Sequence, residues 1–293
     1  MSKPTIHVAI AILLHKDKVL VGWREAKQHQ GNKHEFPGGK VEQGESPLAA
    51  CRREIYEEVG IGLQDWHDFD VIRHEYDDVI VNLHLFHVIV PSALLNEIQQ
   101  PWTWYSRDEL LSLNFPKANQ AMIKRLHWAH QIKISDRLDT LNQLNLDQLM
   151  YWRVEGTQAQ IIEISGLSVE QLSKLIVNID LYQQLNSIQQ QAISAIHLKQ
   201  SQVMSLMQGD LIMGKRYIAA CHDLVSMKQA QKIGCDAILL SPVLATETHP
   251  DARALGWEQF KNLAAQVEIP VFALGGMQAG DLMMAQEQGA YGV

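Results

Sequence analysis

The sequence runs to 293 residues, 46% hydrophobic and 20% charged, an ordinary globular composition with enough chain for two domains rather than one. Its net charge of −8 argues against nonspecific nucleic-acid binding, which requires a basic face, so no direct contact with DNA is expected. A nucleotide substrate is not excluded, because a divalent cation can bring the anion in. No apolar run reaches the length of a membrane span, and no leader with a small-residue cleavage site follows Met1. Cys51, Cys221 and Cys235 are odd in number and lack metal-type spacing, so reduced, buried thiols and a cytoplasmic location are expected.

Residues 6–14, rich in Val, Ile and Ala, read as a strand; His15-Lys16-Asp17-Lys18 is its polar turn and 19–23 the returning strand. Residues 24–33 are polar and without periodicity, a loop long enough to be functional, in which Arg24 and Lys33 are candidates for phosphate contact. Phe36-Pro37-Gly38-Gly39-Lys40 then allows close backbone approach and supplies one cation, with a backbone carbonyl at Gly38 as a further oxygen ligand. Ser46 is a good N-cap and Pro47 suits the first helical position. Leu48, Cys51, Ile55 and Val59 recur at helical spacing, and Gly60 ends the helix in a left-handed cap. Glu54, Glu57 and Glu58, at i, i+3 and i+4, share one face of that helix. Clustered carboxylates repel one another unless a cation sits among them, and a hard divalent ion such as Mg2+ with oxygen ligands fits. A solvated acidic face is the alternative that a lone carboxylate run would suggest.

Residues 61–70 connect to strands at 71–76 and 79–90, joined by a tight turn at Asp77-Asp78. His84 and His87 fall on opposite faces of the second strand and form no ligand pair. A short strand follows at 102–105, Ser106-Arg107-Asp108-Glu109 opens a brief helix as a capping box, 114–119 is a loop and 121–130 an amphipathic helix. A mixed sheet with flanking helices is therefore complete by residue 132. Residues 133–148, polar with leucines at 138, 141, 144 and 149, read as a partly packed linker.

From 149 the pattern changes. Apolar runs recur at 150–154, 161–164, 175–179, 195–198, 217–221, 237–240, 271–274 and 291–293, with helices at 224–233, 257–267 and 281–288 between the later ones. Strands alternating with helices argue for parallel βα units, and this number of strands for a small, degenerate (β/α)8 barrel. The expected architecture is thus an α/β/α sandwich over 1–132, a linker over 133–148 and a TIM-like barrel over 149–293.

The stretch 39–61, G-x5-E-x7-R-E-I-x-E-E-x-G-I, resembles the Nudix hydrolases and matches their signature completely. The resemblance implies hydrolysis of a nucleoside diphosphate linked to another group. It also implies Mg2+, with Mn2+ as a substitute, on Glu54, Glu57, Glu58 and Gly38, and Arg53 and Glu45 as the residues holding helix and loop in place. Within that group the half is similar to the MutT-type enzymes that remove oxidised guanine nucleotides. The carrying residues are Asn32 through Lys40, Arg24 one strand-end earlier, and Phe115-Pro116-Lys117-Ala118-Asn119. This implies an 8-oxo-dGTP substrate, with Arg24 and Lys40 on the nucleotide, Phe36 lining the base pocket and Asn119 pairing with the base edge. From position alone Asn119 reads first as a helix N-cap, and the resemblance is what favours base recognition. The turn Asp77-Asp78 departs from that subgroup, which often carries a basic residue there. Glu97-Ile98-Gln99 resembles its E-x-Q element only with a gap, so Glu97 is a metal ligand, the general base or a solvated loop residue. Two other implied readings are a Nudix enzyme for a different diphosphate, such as a thiamine-pathway pyrophosphate, and a nucleotide-sensing regulator.

The second half resembles the thiamine phosphate synthase and thiazole tautomerase barrels through Ala220-Cys221-His222-Asp223, Leu240-Ser241-Pro242-Val243, Thr246 to Pro250, Leu255-Gly256-Trp257 and Leu274-Gly275-Gly276-Met277. The resemblance implies a phosphate-bearing ligand at Gly275 and Gly276, with His222 and His249 beside it. Two departures argue against synthase activity: Ile164-Ser165-Gly166 stands where a basic residue is expected, and Lys199-Gln200-Ser201-Gln202 where an acidic ligand is expected. The sequence also stops at Val293, where the family continues into a last phosphate loop, which implies a truncated chain or an incomplete barrel. A ligand-binding or scaffold domain is the expectation.

Overall fold

The computed structural model describes residues 3–26, 31–246 and 253–293. The chain forms two compact units, one made of Met1–Trp128 with Ile212–Gly214, the other of Ala129–Leu211 with Lys215–Val293. Among the described residues no helix is long and apolar enough to cross a membrane.

The first unit is built around strand β1 (Thr5–His15). Its sheet runs β3-β2-β1-β6-β5, with β4 on β1 and β7 on β2. The strands are β2 (Lys18–Arg24), β3 (Lys33–Glu35), β4 (Gly38–Lys40), β5 (His67–Glu75), β6 (Ile80–Ile89) and β7 (Thr103–Ser106). β1 and β6 pair in parallel from Thr5↔Ile80 to Leu14↔Ile89; the other pairings are antiparallel. β1 reads as a continuous apolar run because both of its faces are covered. Ala9, Ala11 and Leu13 join Ala50, Cys51, Ile55 and Val59 of helix α1 (Pro47–Val59). Ile12 and Leu14 face the other way, with Phe36, Phe69, Phe115 and the Met122, Ile123 and Leu126 of helix α2 (Gln120–Leu126). That is an α/β/α sandwich.

The turn at Asp77-Asp78 is closed by Tyr76 N–H donating to Val79 O at 2.8 Å. Glu109 reaches back to Ser106 N and Oγ at 2.7 and 2.8 Å, and the helix this box opens is one 3-10 turn. α2 is shorter than the expected 121–130. His127 leaves the helix with ψ 135°, and Trp128 is fully buried.

The second unit is one parallel sheet in chain order: β8 (Gln131–Ser135), β9 (Gln148–Trp152), β10 (Leu175–Asn178), β11 (Ala195–Leu198), β12 (Tyr217–Cys221), β13 (Ala237–Leu240) and β14 (Val271–Ala273). Helices Leu224–Ile233 and Gly256–Ala264 lie between the later strands, and Leu282–Glu287 follows β14. The last residues join the two edges. Tyr291 N and Ala273 N bond across to Val271 O and Gly292 O, while Val293 N and Ile132 N bond to His130 O and Val293 O. The unit is thus a curled (β/α) barrel-type fold.

Two expectations are corrected here. Residues 133–148 are not a linker: β8 pairs with β9 from Gln131↔Gln148 to Ser135↔Trp152, and Leu138 and Leu141 of the intervening 3-10 turn are buried. The run 161–164 is not a strand but part of helix α3 (Gln158–Ser165). Its isoleucines suit a strand, yet Gln160 accepts from Gly156 N and Thr157 N, both at 2.8 Å, and this box at the N-terminus nucleates a helix instead. β8 takes the place the sequence reading gave to 161–164.

Candidate active site

The site grows from helix α1. Ser46 Oγ accepts from Ala49 N at 3.2 Å, Pro47 occupies the first turn, and Gly60, at φ 84°, caps the other end by donating to Ile55 O. Such an N-cap is worth about 1 kcal/mol. With both ends fixed and Ala50, Cys51, Ile55 and Val59 buried, the helix presents Arg53, Glu54, Glu57 and Glu58 toward the glycine loop.

Arg53 is the hub. Its Nε and NH2 reach Glu45 Oε1 and Oε2, both at 3.1 Å, a fork that matches a carboxylate in two places. NH1 donates to Glu54 Oε1 at 2.8 Å and Glu57 Oε2 at 3.2 Å, and NH2 to Lys40 O at 3.2 Å. Those bonds use the full set of guanidinium donors. Arg53 holds the Glu45 carboxyl below the usual carboxylate range, and Glu45 and Glu54 in turn raise the arginine.

The glycine loop closes on the helix from the other side. Gly38 N donates to Glu58 Oε2 at 3.0 Å. Burial pushes the Glu58 carboxyl up; the Gly38 bond opposes this, and the charges of Glu54 and Glu35 add to it. Gly38 has φ 145°, and a Cβ on it would sit 2.2 Å from Ala9 O; a Cβ on Gly39 would sit 2.3 Å from the Glu54 carboxyl. Only glycines let this loop lie between β1 and the carboxylates.

The three glutamates are therefore brought to one place, but not as a ready cage. Among the described residues no three His, Cys, Asp or Glu side chains stand together as a metal set, since Arg53 holds Glu54 and Glu57 while Gly38 holds Glu58. The donor chemistry nevertheless fits a hard divalent cation: the groups are oxygen donors, and negative charge around Glu58 is in excess. Glu97 is exposed at the end of the 3-10 turn Ser92–Glu97. Gln99 N, two residues on, donates to Val59 O at 3.0 Å, so this segment runs beside the end of α1, but no described bond joins Glu97 to the carboxylates. The Lys40 side chain is exposed.

On the α2 side of the sheet, Phe36 is buried and stacks on Phe115, with ring centroids 4.9 Å apart and planes at 15°. Asn119, at the start of α2, is buried, and its side chain makes no capping bond. The cap reading therefore lacks its hydrogen bond. Arg24 is paired with Glu35, through Nε at 2.7 Å and NH2 at 2.6 Å. The sequence reading missed Glu35 in this role, and it missed Trp102, whose Nε1 donates to Glu58 O at 2.9 Å. It also missed the contact of His34 with Asn114. These partners are distant in sequence and no local pattern marks them.

In the barrel unit, His222 Nδ1 donates to Ser241 O at 2.7 Å and its backbone N to Gln200 Oε1 at 3.0 Å. Gln200 also donates to Asp223 at 3.1 Å. Asn178 caps the next helix, accepting from Leu181 N at 2.8 Å and donating to Val154 O at 2.5 Å. Gly275 and Gly276 have φ 95° and 69°, and a Cβ on either would lie within 2.8 Å of Pro242 Cα or Ala245 O, so a tight turn alone requires them. His249 lies outside the described residues.

Residues 8–125 match the NUDIX domain family and residues 152–293 the Thiamine monophosphate synthase family. The 8-oxo-dGTP diphosphatase of Escherichia coli (strain K12) is 34% identical over 123 residues, which are 41% of this chain and 95% of that protein. The CTP pyrophosphohydrolase of the same organism is 34% identical over 114 residues, 39% of this chain and 83% of that protein. The thiamine-phosphate synthase of Fusobacterium nucleatum subsp. nucleatum is 31% identical over 106 residues, 35% of this chain and 52% of that protein. The chain thus spans about half the length of that synthase.

Proposed function

Its first half makes this chain a member of the Nudix hydrolases, joined to a thiamine monophosphate synthase-type domain, and from that premise we propose that it is a nucleoside triphosphate pyrophosphohydrolase. The proposed substrate is 8-oxo-dGTP: water attacks an internal phosphorus, the bridging P–O bond breaks, and 8-oxo-dGMP and pyrophosphate leave. Such an enzyme clears oxidised guanine from the nucleotide pool and so avoids mutation. The observation that carries the reading is the carboxylate cluster of α1, complete in its residues and braced by Arg53 through Glu45, Glu54 and Glu57.

Nudix hydrolases use a divalent cation; here Mg2+, with Mn2+ as a substitute, would be held by Glu54, Glu57, Glu58 and the Gly38 carbonyl. When bound it supplies charge neutralisation at the phosphates and a more acidic water. Arg53 orients Glu54 and Glu57 through its NH1 bonds, and Gly38 N orients Glu58. Lys40 and Arg24 offer cations to the phosphates, Arg24 by exchanging Glu35. Phe36, stacked on Phe115, offers an apolar face to the base. The amide of Asn119, uncommitted to the helix, can both donate to and accept from an oxidised purine edge.

The synthase-type domain is proposed as a ligand-binding or scaffold unit, with a phosphate-bearing compound as its ligand. The likeness to a CTP pyrophosphohydrolase favours one second reading, a pyrimidine nucleotide substrate. A pyrophosphate-release assay with Mg2+ separates these, using 8-oxo-dGTP, dGTP, CTP and thiamine pyrophosphate. A large kcat/KM preference for 8-oxo-dGTP is expected. Preference for CTP selects the second reading, turnover of thiamine pyrophosphate alone assigns the enzyme to the barrel's pathway, and no turnover on any of them leaves a nucleotide-sensing regulator.

A further inference from the structure

The aromatic side of the sheet contains a histidine that the proposed chemistry does not use. We infer that His34 is a positioning residue of the base pocket, whose neutral ring latches the strand that leads into Phe36 to the segment that carries Phe115 and Asn119. This deepens the nucleotide-hydrolase reading and rests on it for the identity of the pocket.

Three hydrogen bonds join the two segments. His34 N donates to Asn114 O at 2.8 Å, Asn114 Nδ2 to Asn32 O at 2.9 Å, and Asn114 N to His34 Nδ1 at 3.2 Å. The third is the one that depends on the side chain. A peptide N–H always donates, so Nδ1 must carry a lone pair, and the ring is fixed as the neutral Nε2–H tautomer. Protonated, the same ring presents an N–H to an N–H, and the bond becomes a repulsion.

The ring's surroundings keep it in that state. It meets Trp23 edge-on at 4.9 Å, Tyr105 edge-on at 5.9 Å and Phe115 at 5.7 Å. Of these groups Tyr105 is the titratable one, and no carboxylate faces the imidazole among the described residues. Lys33 and Glu35 flank it on β3 and point to the opposite face, Glu35 being tied to Arg24 on β2. Lys117, on the segment beyond Phe115, is exposed. Burial is the larger influence and holds the imidazole below its ordinary value, while a backbone hydrogen bond at Asn114 acts the other way. Phe115 touches both His34 and Phe36, so the latch bears directly on the stack that forms the pocket wall.

The decisive variants are His34→Asn, whose Oδ1 sits where Nδ1 was and cannot titrate, and His34→Leu, which has no acceptor. Steady-state hydrolysis of 8-oxo-dGTP is followed from pH 5 to 8.5. Wild type should show KM rising on the acid side, below the ordinary imidazole value, with kcat following only the other groups. H34L should raise KM at neutral pH about fivefold, the worth of one net hydrogen bond, and lose the acid limb. H34N should return KM toward wild type and also lose that limb. Equal KM in H34L and wild type, or an acid limb that survives in H34N, overturns the inference. A second measurement does not need turnover. In 15N NMR of the wild-type chain, the His34 ring should be the Nε2–H tautomer, and the Asn114 amide should shift with its titration. An Nδ1–H tautomer, or an Asn114 amide that ignores the titration, overturns it even if no nucleotide is hydrolysed, whereas absent hydrolysis with the expected NMR result counts against the substrate reading alone.

Discussion

Gly39→Ala adds one methyl group at the point where loop and helix meet. The new Cβ would lie 2.3 Å from Cδ and Oε1 of Glu54, about 1 Å inside ordinary contact. Gly39 is not among the positive-φ glycines, so alanine brings no backbone strain, and the whole effect falls on the Glu54 carboxylate. That carboxylate must swing away from Arg53 NH1, now at 2.8 Å. Losing this partly exposed, charge-assisted bond should cost about 1–2 kcal/mol of stability, a shift of a few degrees in Tm. The effect on chemistry should be larger, because a displacement of about 1 Å in a group that orients the reaction costs on the order of 100-fold in rate. Pyrophosphate release under saturating nucleotide, with a thermal melt on the same sample, measures both. G39A with wild-type kcat refutes the assignment of Glu54 to the site. A collapse of the cooperative melt would mean that the loop is a folding element first.

Glu57→Gln should lower turnover by orders of magnitude while nucleotide binding, followed by calorimetry, persists; unchanged hydrolysis would show the carboxylate cluster is misassigned. In the barrel unit, burial and the charge of Lys199 lower the His197 pKa to about 4. Between there and the ordinary value of 6.5 the unfolded chain binds the extra proton, so stability is full above pH 6.5 and falls toward pH 4. The fall should reach about 3 kcal/mol, visible as a lower denaturation midpoint at pH 4.5 than at pH 7, and a pH-independent midpoint would refute it. Burial raises the Cys51 and Cys221 thiols to about 12 and also raises that of Cys235. A disulfide-exchange reagent at pH 8 should therefore label the native chain slowly and the denatured chain fully.

What the sequence made legible was local. The stripe of α1, its Ser46, Pro47 and Gly60 ends and the shared face of Glu54, Glu57 and Glu58 all depend on residues within a few positions of one another. The hairpin at Asp77-Asp78 and the helix at 224–233 were legible for the same reason. The failures are competitions between a local signal and a distant partner. Ile161, Ile162 and Ile164 satisfy a strand by propensity, and the box at Gln160 decides otherwise. Residues 131–135 look like the end of one domain and the start of a polar linker, because the pairing that makes them β8 comes from β9 and from Val293. At the site, Arg24 was read as a cation free for phosphate, since Glu35 announces nothing about reaching it across two strands.

The two halves differ in how their polar groups are committed. In the first, Glu58 is held by Gly38 N yet stands among the charges of Glu54 and Glu35, and Asn119 is buried without a capping bond, so both leave capacity for something the chain does not supply. In the barrel the corresponding candidates are already satisfied by the protein: Asn178 by two backbone groups, His222 by Ser241 O and Gln200, Asp223 by Gln200 and the start of its own helix. Gln200 stands in the stretch where the resemblance calls for an acidic ligand, and it ties His222 to Asp223 instead. A polar group bonded at home has to break that bond before it can act on a ligand, whereas a buried group with spare capacity gains by binding one. This asymmetry supports chemistry on the first half and a binding or supporting role for the second.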